Sequence, residues 1–84
     1  MQANTFLIDR AYENLANAIV ESAVTEYRNA LKGLTYDKRM SPECVIETLE
    51  TFFHSSYFSM LTKLNPEYLI SKLREEHEKE KEQL

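Results

Sequence analysis

Aromatic side chains that could form a binding surface are concentrated in one stretch of the chain, from Leu49 to Leu73. The aromatic residues of this stretch are Phe52, Phe53, Tyr57, Phe58 and Tyr68. Rings of this kind either fill a hydrophobic core or, on a surface, contact a protein partner or stack on a planar ligand. The sequence leaves core, interface and pocket open as alternatives for the stretch.

Cationic side chains that could accompany these rings are Arg28, His54 and Lys72, with Lys32 and Arg74 as further candidates. Tyrosine and arginine dominate the binding energy of protein interfaces, and tyrosine with a cation also suits an anionic planar ligand. The predicted ligand or partner surface consists of Tyr27, Arg28, Phe52, Phe53, His54, Tyr57, Phe58, Tyr68 and Lys72.

Metal-binding and catalytic patterns are missing from the sequence. The chain has no CxxC, HxxxH or ExxH motif, and its one glycine rules out a glycine-rich phosphate loop. Glu50 and His54, four residues apart, are the one pair worth considering as ligands, and we interpret His54 as a partly exposed histidine at a helix end. The sequence therefore predicts a protein without metal, cofactor or enzymatic activity.

Cys44 and the neighbouring glutamates have plain structural interpretations. A cysteine in the first turn of a helix can have a lowered thiol pKa, but Cys44 has no histidine near it in sequence. We therefore expect a small, half-buried apolar residue at this position. Glu43, Glu47 and Glu50 predict a solvated helix face.

Composition limits the class of protein. The chain has 84 residues, a formal net charge of −4, one cysteine and 43% hydrophobic residues, as in a small globular domain. An acidic protein gains little from counterion release, so DNA binding is disfavoured. No apolar run approaches the roughly 20 residues of a membrane span, and residues 1–5 do not resemble a signal peptide. We expect a cytoplasmic protein that, at this size, self-associates readily.

Hydrophobic periodicity predicts an all-α fold of three to four helices in a single domain, residues 1–84. A long helix from Phe6 to Leu31 would end at Gly33 and pack on a helical return. Ser41-Pro42 and Asn65-Pro66 each combine a capping residue with a proline that suits the first helical turn. Ser55-Ser56 predicts a break between them. We therefore expect helices over 42–54 and 57–63, and a last helix from Pro66.

The apolar faces of these helices predict the core. The second helix would bury Val45, Leu49, Phe52 and Phe53; the short helix, Phe58 and Leu61, with Leu64 as a further candidate; and the last helix, Tyr68, Leu69, Ile70 and Leu73. Residues 1–5 are expected to fray. The charged residues 75–84 are expected to form a solvated helical tail, with Glu75 and Lys79 paired.

Two segments, 18–31 and 50–76, resemble a family of short proteins encoded by phages and integrative elements of Gram-positive bacteria. The most specific part is the pattern FFxSxxFxxLTxxxxEYLI in the second segment. The resembling positions are Tyr27, Arg28, Phe52, Phe53, Ser55, Phe58, Leu61, Thr62, Glu67, Tyr68, Leu69 and Ile70. The chain departs from the family at His54, Tyr57 and Asn65-Pro66, where the family has arginine, tryptophan and Asp-Gly.

The resemblance implies a cytoplasmic accessory protein of a mobile element. Our first hypothesis is a non-enzymatic module that binds a host protein or itself as a homo-oligomer, for example to inhibit host defence. The alternatives are a protein that sequesters a nucleotide-like signal and, third, a DNA-associated regulator. A histidine at position 54 weakens an anion site there near neutral pH.

Overall fold

Four α-helices make up the part of the chain that the computed structural model describes, residues 2–35 and 37–82, with side chains described for 10–35 and 37–81. They are α1 (Gln2–Leu31), α2 (Pro42–Phe53), α3 (Ser56–Leu61) and α4 (Pro66–Glu82). These ranges contain no strand, so the all-α prediction is confirmed. Helix α1 begins earlier than the predicted Phe6. The outer ends of the predicted frayed and solvated segments, residues 1, 83 and 84, lie outside the described residues.

The end of α1 is built as the sequence predicts. Gly33 has φ 83°, a left-handed conformation that costs glycine little. Its N–H donates to the carbonyl of Ala30 at 3.0 Å, and the N–H of Leu34 donates to the carbonyl of Asn29 at 2.8 Å. This pair of bonds is the Schellman arrangement, which satisfies carbonyls at the helix end.

The other three helices begin at side-chain caps. The hydroxyl of Ser41 accepts the N–H three residues on at 3.1 Å, and that of Ser55 does the same at 3.2 Å. The amide oxygen of Asn65 accepts two N–H groups at 2.9 and 3.2 Å. The predicted break and both predicted helix starts are therefore confirmed, although α3 ends at Leu61 rather than Lys63.

The core lies between α1 and the three helices that pack against it. Tyr27, Phe53 and Phe58 are its largest fully buried side chains. The Phe53 ring centroid lies 5.7 Å from that of Tyr27 and 5.3 Å from that of Phe58, both edge-to-face. Smaller buried side chains complete the core: Val20, Ala23, Leu49 and Leu73.

Helix α4 runs in the same direction as α1. Arg28 pairs with Glu76 at 3.2 Å, and Lys32 pairs with Glu80 at 3.7 Å. From the first pair to the second, the residue number rises by four in both helices, so the two helices are parallel. The expected Glu75–Lys79 pair is present at 3.4 Å. Exposed ion pairs contribute little stability, typically about 0–1 kcal/mol. The charged residues 75–81 are thus solvated, as predicted, but they lie along the end of α1.

Candidate functional site

Three residues of the predicted binding surface belong to the core instead. Tyr27, Phe53 and Phe58 are 0%, 1% and 1% exposed. They are therefore not available to a ligand or partner surface, whereas the inward positions predicted for Phe53 and Phe58 are confirmed. The physical reason is that α1, α2 and α3 meet at these rings, which are the largest fully buried side chains.

The predicted cations Arg28, His54 and Lys72 do not form one cluster around the aromatic rings. Arg28 is half exposed and pairs with Glu76. His54 is exposed at the end of α2, where its Nδ1 lies 2.9 Å from the carbonyl oxygen of Glu50. Lys72 lies on α4 with its Nζ 5.6 Å from the ring centroid of Tyr68. An anion would therefore meet single cations on separate elements.

Four large apolar side chains are exposed where α3 leads into α4. Tyr57 is 52% exposed, Met60 72%, Leu64 50% and Tyr68 62%. We call these four residues the corner patch. Two of them, Tyr57 and Tyr68, were predicted to belong to a binding surface, whereas Met60 and Leu64 were missed. The inward positions expected for Leu64 and for Tyr68 were wrong.

The four residues of the corner patch lie within twelve positions of the chain. Tyr57 and Met60 lie on one side of α3, three residues apart, while Phe58 on the same short helix is buried. The connection from α3 to α4 is the four residues 62–65, which span at most about 14 Å when extended. The half-buried Phe52 borders the patch, with its ring centroid 6.1 Å from that of Tyr57. The sequence signal for the patch was that α3 has apolar residues on two sides, Tyr57 and Met60 on one and Phe58 on the other, of which only one side can face the core.

A polar cluster that sequence reasoning missed joins α1, α2 and α4. The Tyr27 hydroxyl donates to Oε2 of Glu50 at 2.6 Å, and Nη2 of Arg74 donates to the same oxygen at 2.6 Å. Glu50 is therefore half-buried, and its predicted position on a solvated helix face was wrong. The available signal was its spacing, because Glu50 follows Ile46 by four residues and precedes Phe53 by three. That spacing places it at the edge of the core stripe.

The cluster shifts the acidity of its members. The hydrogen bond from Tyr27, followed by that from Arg74, holds the pKa of the Glu50 carboxyl below its ordinary value. Burial, reinforced by the Glu50 carboxylate, raises the pKa of Tyr27 to about 12. At neutral pH the cluster thus has one neutral hydroxyl and one ion pair. The cluster connects α1, α2 and α4 through these hydrogen bonds.

Folding stability should therefore fall in alkaline solution. Between pH 10 and about 12 the unfolded chain releases the Tyr27 proton while the folded chain keeps it, so stability is lost as pH rises through this range. Urea unfolding of wild type and Tyr27→Phe at pH 9, 10 and 11 checks this. We expect the variant to lose less stability than wild type over that interval, and equal losses would contradict the assignment.

Metal ligands do not gather in the described part of the chain: no group of three or more His, Cys, Asp or Glu side chains occurs among residues 10–35 and 37–81. Cys44 is exposed, so its predicted half-buried position was wrong. It lies in the first turn of α2, whose apolar face turns toward α1 and leaves this position outside. Within the described helices, none is both long and apolar enough to cross a membrane.

A groove of about 310 Å³ lies between the end of α1, the 34–40 connection and the start of α2. Leu34, Met40 and Val45 give it apolar walls, while Glu26 and Asp37 bring two carboxylates to its edge. Among its described lining residues there is no cation. The Asp37 carboxylate is paired with Arg39 at 3.2 Å, so the groove offers Glu26 but no free cation among its described lining residues, which does not favour a nucleotide.

Comparison with known proteins adds no relative. No family model, curated protein or solved structure matches the chain. The resemblance to phage and integrative-element proteins therefore stays a prediction.

Proposed function

We propose that this protein is a non-enzymatic binding module that engages a partner protein through the corner patch. The observation that carries the proposal is the concentration of exposed apolar area. Half of the eight large hydrophobic side chains that are exposed in the described residues fall between positions 57 and 68. Clusters of this kind mark interaction sites more often than scattered single residues do.

The chemistry of the corner patch suits a protein more than a nucleic acid or a nucleotide. Tyr57, Met60 and Tyr68 are of the types enriched at protein interfaces, where charged residues are depleted. The neighbouring charged residues in sequence are Lys63, Glu67 and Lys72, of which Lys72 lies with its Nζ 5.6 Å from the Tyr68 ring centroid. The partner that fits is a protein with an apolar pocket or groove that accepts two tyrosine rings.

The patch is supported by buried neighbours, which favours binding. Phe58 anchors α3 in the core, and the Ser55 cap fixes the first turn of that helix. Side chains held in place before binding lose less conformational entropy when the complex forms. The patch therefore offers a preformed surface on a small domain.

The resemblance to proteins of phages and integrative elements supports a finer proposal. On that basis the partner is a protein of the bacterial host, the complex forms in the host cytoplasm, and inhibition of a host defence is the role. Binding without catalysis is enough for such a role, because occupancy of a functional surface blocks it.

Affinity capture with the tagged full chain tests the proposal. We expect a host protein bound by wild type to bind Met60→Glu at least about tenfold more weakly, because a charge at the centre of an interface is desolvated without a partner. Binding to the purified candidate is then measured by calorimetry for both proteins. Circular dichroism at 222 nm confirms that the variant keeps its helices.

Leu34→Glu is the matched control. Leu34 is 60% exposed and apolar but lies at the far end of α1. The control should keep wild-type affinity. A partner that binds both variants equally well, or a host in which no partner depends on Met60, would refute the proposal.

A further inference from the structure

The molecule exposes more surface than a compact monomer of its size. Its accessible surface is 6702 Å² and its mass 9.9 kDa, for which a folded monomer is expected to expose about 5,200 Å². Its radius of gyration is 15.6 Å, against about 12 Å expected for a compact domain. The difference in surface, about 1,500 Å², exceeds the roughly 800 Å² that each partner contributes to a standard interface.

Much of the elongation comes from α1, which has 30 residues and two apolar faces. The inner face carries Ala16, Val20, Ala23, Tyr27 and Ala30, which are buried. The outer face, centred roughly 100° round the helix from the inner one, carries Ala11, Tyr12, Leu15, Ala18, Ile19 and Ser22. On it, Tyr12 is 51% and Leu15 60% exposed, so no other described element covers the middle of α1 on this side.

Between residues 11 and 22 charged residues avoid the outer face, and the next charge on the same side is Glu26, which lines the groove toward α2. Arg10, Glu13 and Glu21 each lie more than about 110° from its centre at 3.6 residues per turn. The face is therefore uncharged over three helical turns, although the whole chain is 29% charged. An uncharged helical face between charged flanks is typical of the centre of a helix–helix interface.

A shallow groove extends the outer face toward α2. It has a volume of about 410 Å³ and is lined on one side by Ile19 and Ser22 and on the other by Leu49 and Phe52. A helix lying against the outer face would therefore also contact α2. The contact would then involve two helices of each copy and not only a single stripe on α1.

We infer that the occupant of the outer face is a second copy of this chain, packed antiparallel so that the two α1 helices cross near residues 16 and 17. In this arrangement, the numbers of two residues that face each other across the interface add up to about 33 or 34. Leu15 of one copy then lies against Ala18 and Ile19 of the other, and Tyr12 lies against Ser22. The same apolar and small residues thus serve both copies, which is the self-complementarity that a two-fold interface requires.

The charge pattern and the available area also select a second copy. An uncharged face can meet itself without like-charge repulsion. The excess surface of each chain suffices for one interface of standard size. The four residues of the corner patch lie on α3, on α4 and between them, and none belongs to the outer face, although Phe52 borders both the patch and the groove.

Sedimentation of the full chain over a wide concentration range tests the inference. Wild type should approach twice 9.9 kDa, and Leu15→Glu should raise the dimer dissociation constant roughly thirtyfold or more. The matched control Met60→Glu changes another exposed apolar residue to the same charge and should remain dimeric. A wild-type monomer, a dimer insensitive to Leu15→Glu, or equal dissociation by both variants would overturn the inference.

Disulfide cross-linking tests the antiparallel arrangement. In a Cys44→Ser background, a mixture of the Tyr12→Cys and Ser22→Cys proteins should cross-link, because an antiparallel pair brings these positions within reach of a disulfide. Neither protein alone should do so. Cross-linking of each protein with itself would show parallel helices and overturn the arrangement. These experiments use no host partner, so their failure is distinct from failure of the proposed function.

Discussion

Phe53→Ala is expected to leave the chain largely unfolded at room temperature. Phe53 is 1% exposed, and its ring meets those of Tyr27, Phe52 and Phe58 at centroid distances of 5.7, 5.8 and 5.3 Å. Truncation of a buried phenylalanine costs about 3–5 kcal/mol, from lost burial and the cavity that remains. A single core in a chain of this size rarely supplies more than about 3–5 kcal/mol in total. Circular dichroism at 222 nm and urea unfolding measure the loss.

Tyr57→Ala is the control for this change. Tyr57 is also aromatic and lies only four residues from Phe53, but it is 52% exposed. Its truncation should cost about 1 kcal/mol or less, because little burial is lost. Similar unfolding midpoints for the two variants would contradict the division of the aromatic stretch into core and surface.

Glu50→Ala is expected to destabilise the fold by about 2–3 kcal/mol. The change leaves the hydroxyl of the fully buried Tyr27 without its acceptor and removes the partner that Arg74 contacts at 2.6 Å. A buried polar group without a partner costs about 1–3 kcal/mol, and a hydrogen bond to a charged group contributes about 1.5–3 kcal/mol. Urea unfolding at pH 7 measures the difference. Glu50→Gln, which still accepts from Tyr27, should lose less.

Glu47→Ala provides the comparison on the same helix. Glu47 lies one turn before Glu50 and is exposed. Its removal should change stability by no more than about 0.5 kcal/mol. Equal effects of the two substitutions would show that the cluster contributes no more than an exposed glutamate.

Acid should act on wild type through the same carboxylate. Because the pKa of Glu50 is lowered in the folded chain, the unfolded chain binds the proton first as pH falls through the ordinary value of 4.5. Stability is therefore present above that pH and is lost below it. Glu50→Gln should lack this part of the acid sensitivity, and an unchanged pH profile would contradict the assignment.

The two proposed surfaces can be separated by single substitutions. Leu15 lies on the outer face of α1 and Met60 on the corner patch, and both are exposed, so a charge at either position leaves the core intact. A charge at Leu15 should dissociate the dimer and spare the partner. A charge at Met60 should do the reverse.

Local signals in the sequence were enough to determine the helices. A serine or asparagine followed by proline begins α2 and α4, Gly33 ends α1, and Ser55 separates α2 from α3. These signals act within one turn of the backbone, since a cap satisfies N–H groups two or three residues away. The all-α class, the order of the helices and most of their ends therefore followed from residue types and spacing.

Local pattern predicted the inward positions of Phe53 and Phe58, but only the tertiary structure showed how far each aromatic side chain is covered. Tyr57 and Phe58 are neighbours in sequence, yet one is 52% and the other 1% exposed, because α1 and α2 cover one side of α3 only. The acceptor for Tyr27 lies 23 residues away in the chain, and Arg74 lies 24 residues beyond that acceptor. Periodicity describes one helix at a time and carries no information on how far a neighbouring helix covers it. The exposure of Leu64 and Tyr68 and the polar cluster depend on how helices meet across the fold, so they could not be predicted from local pattern.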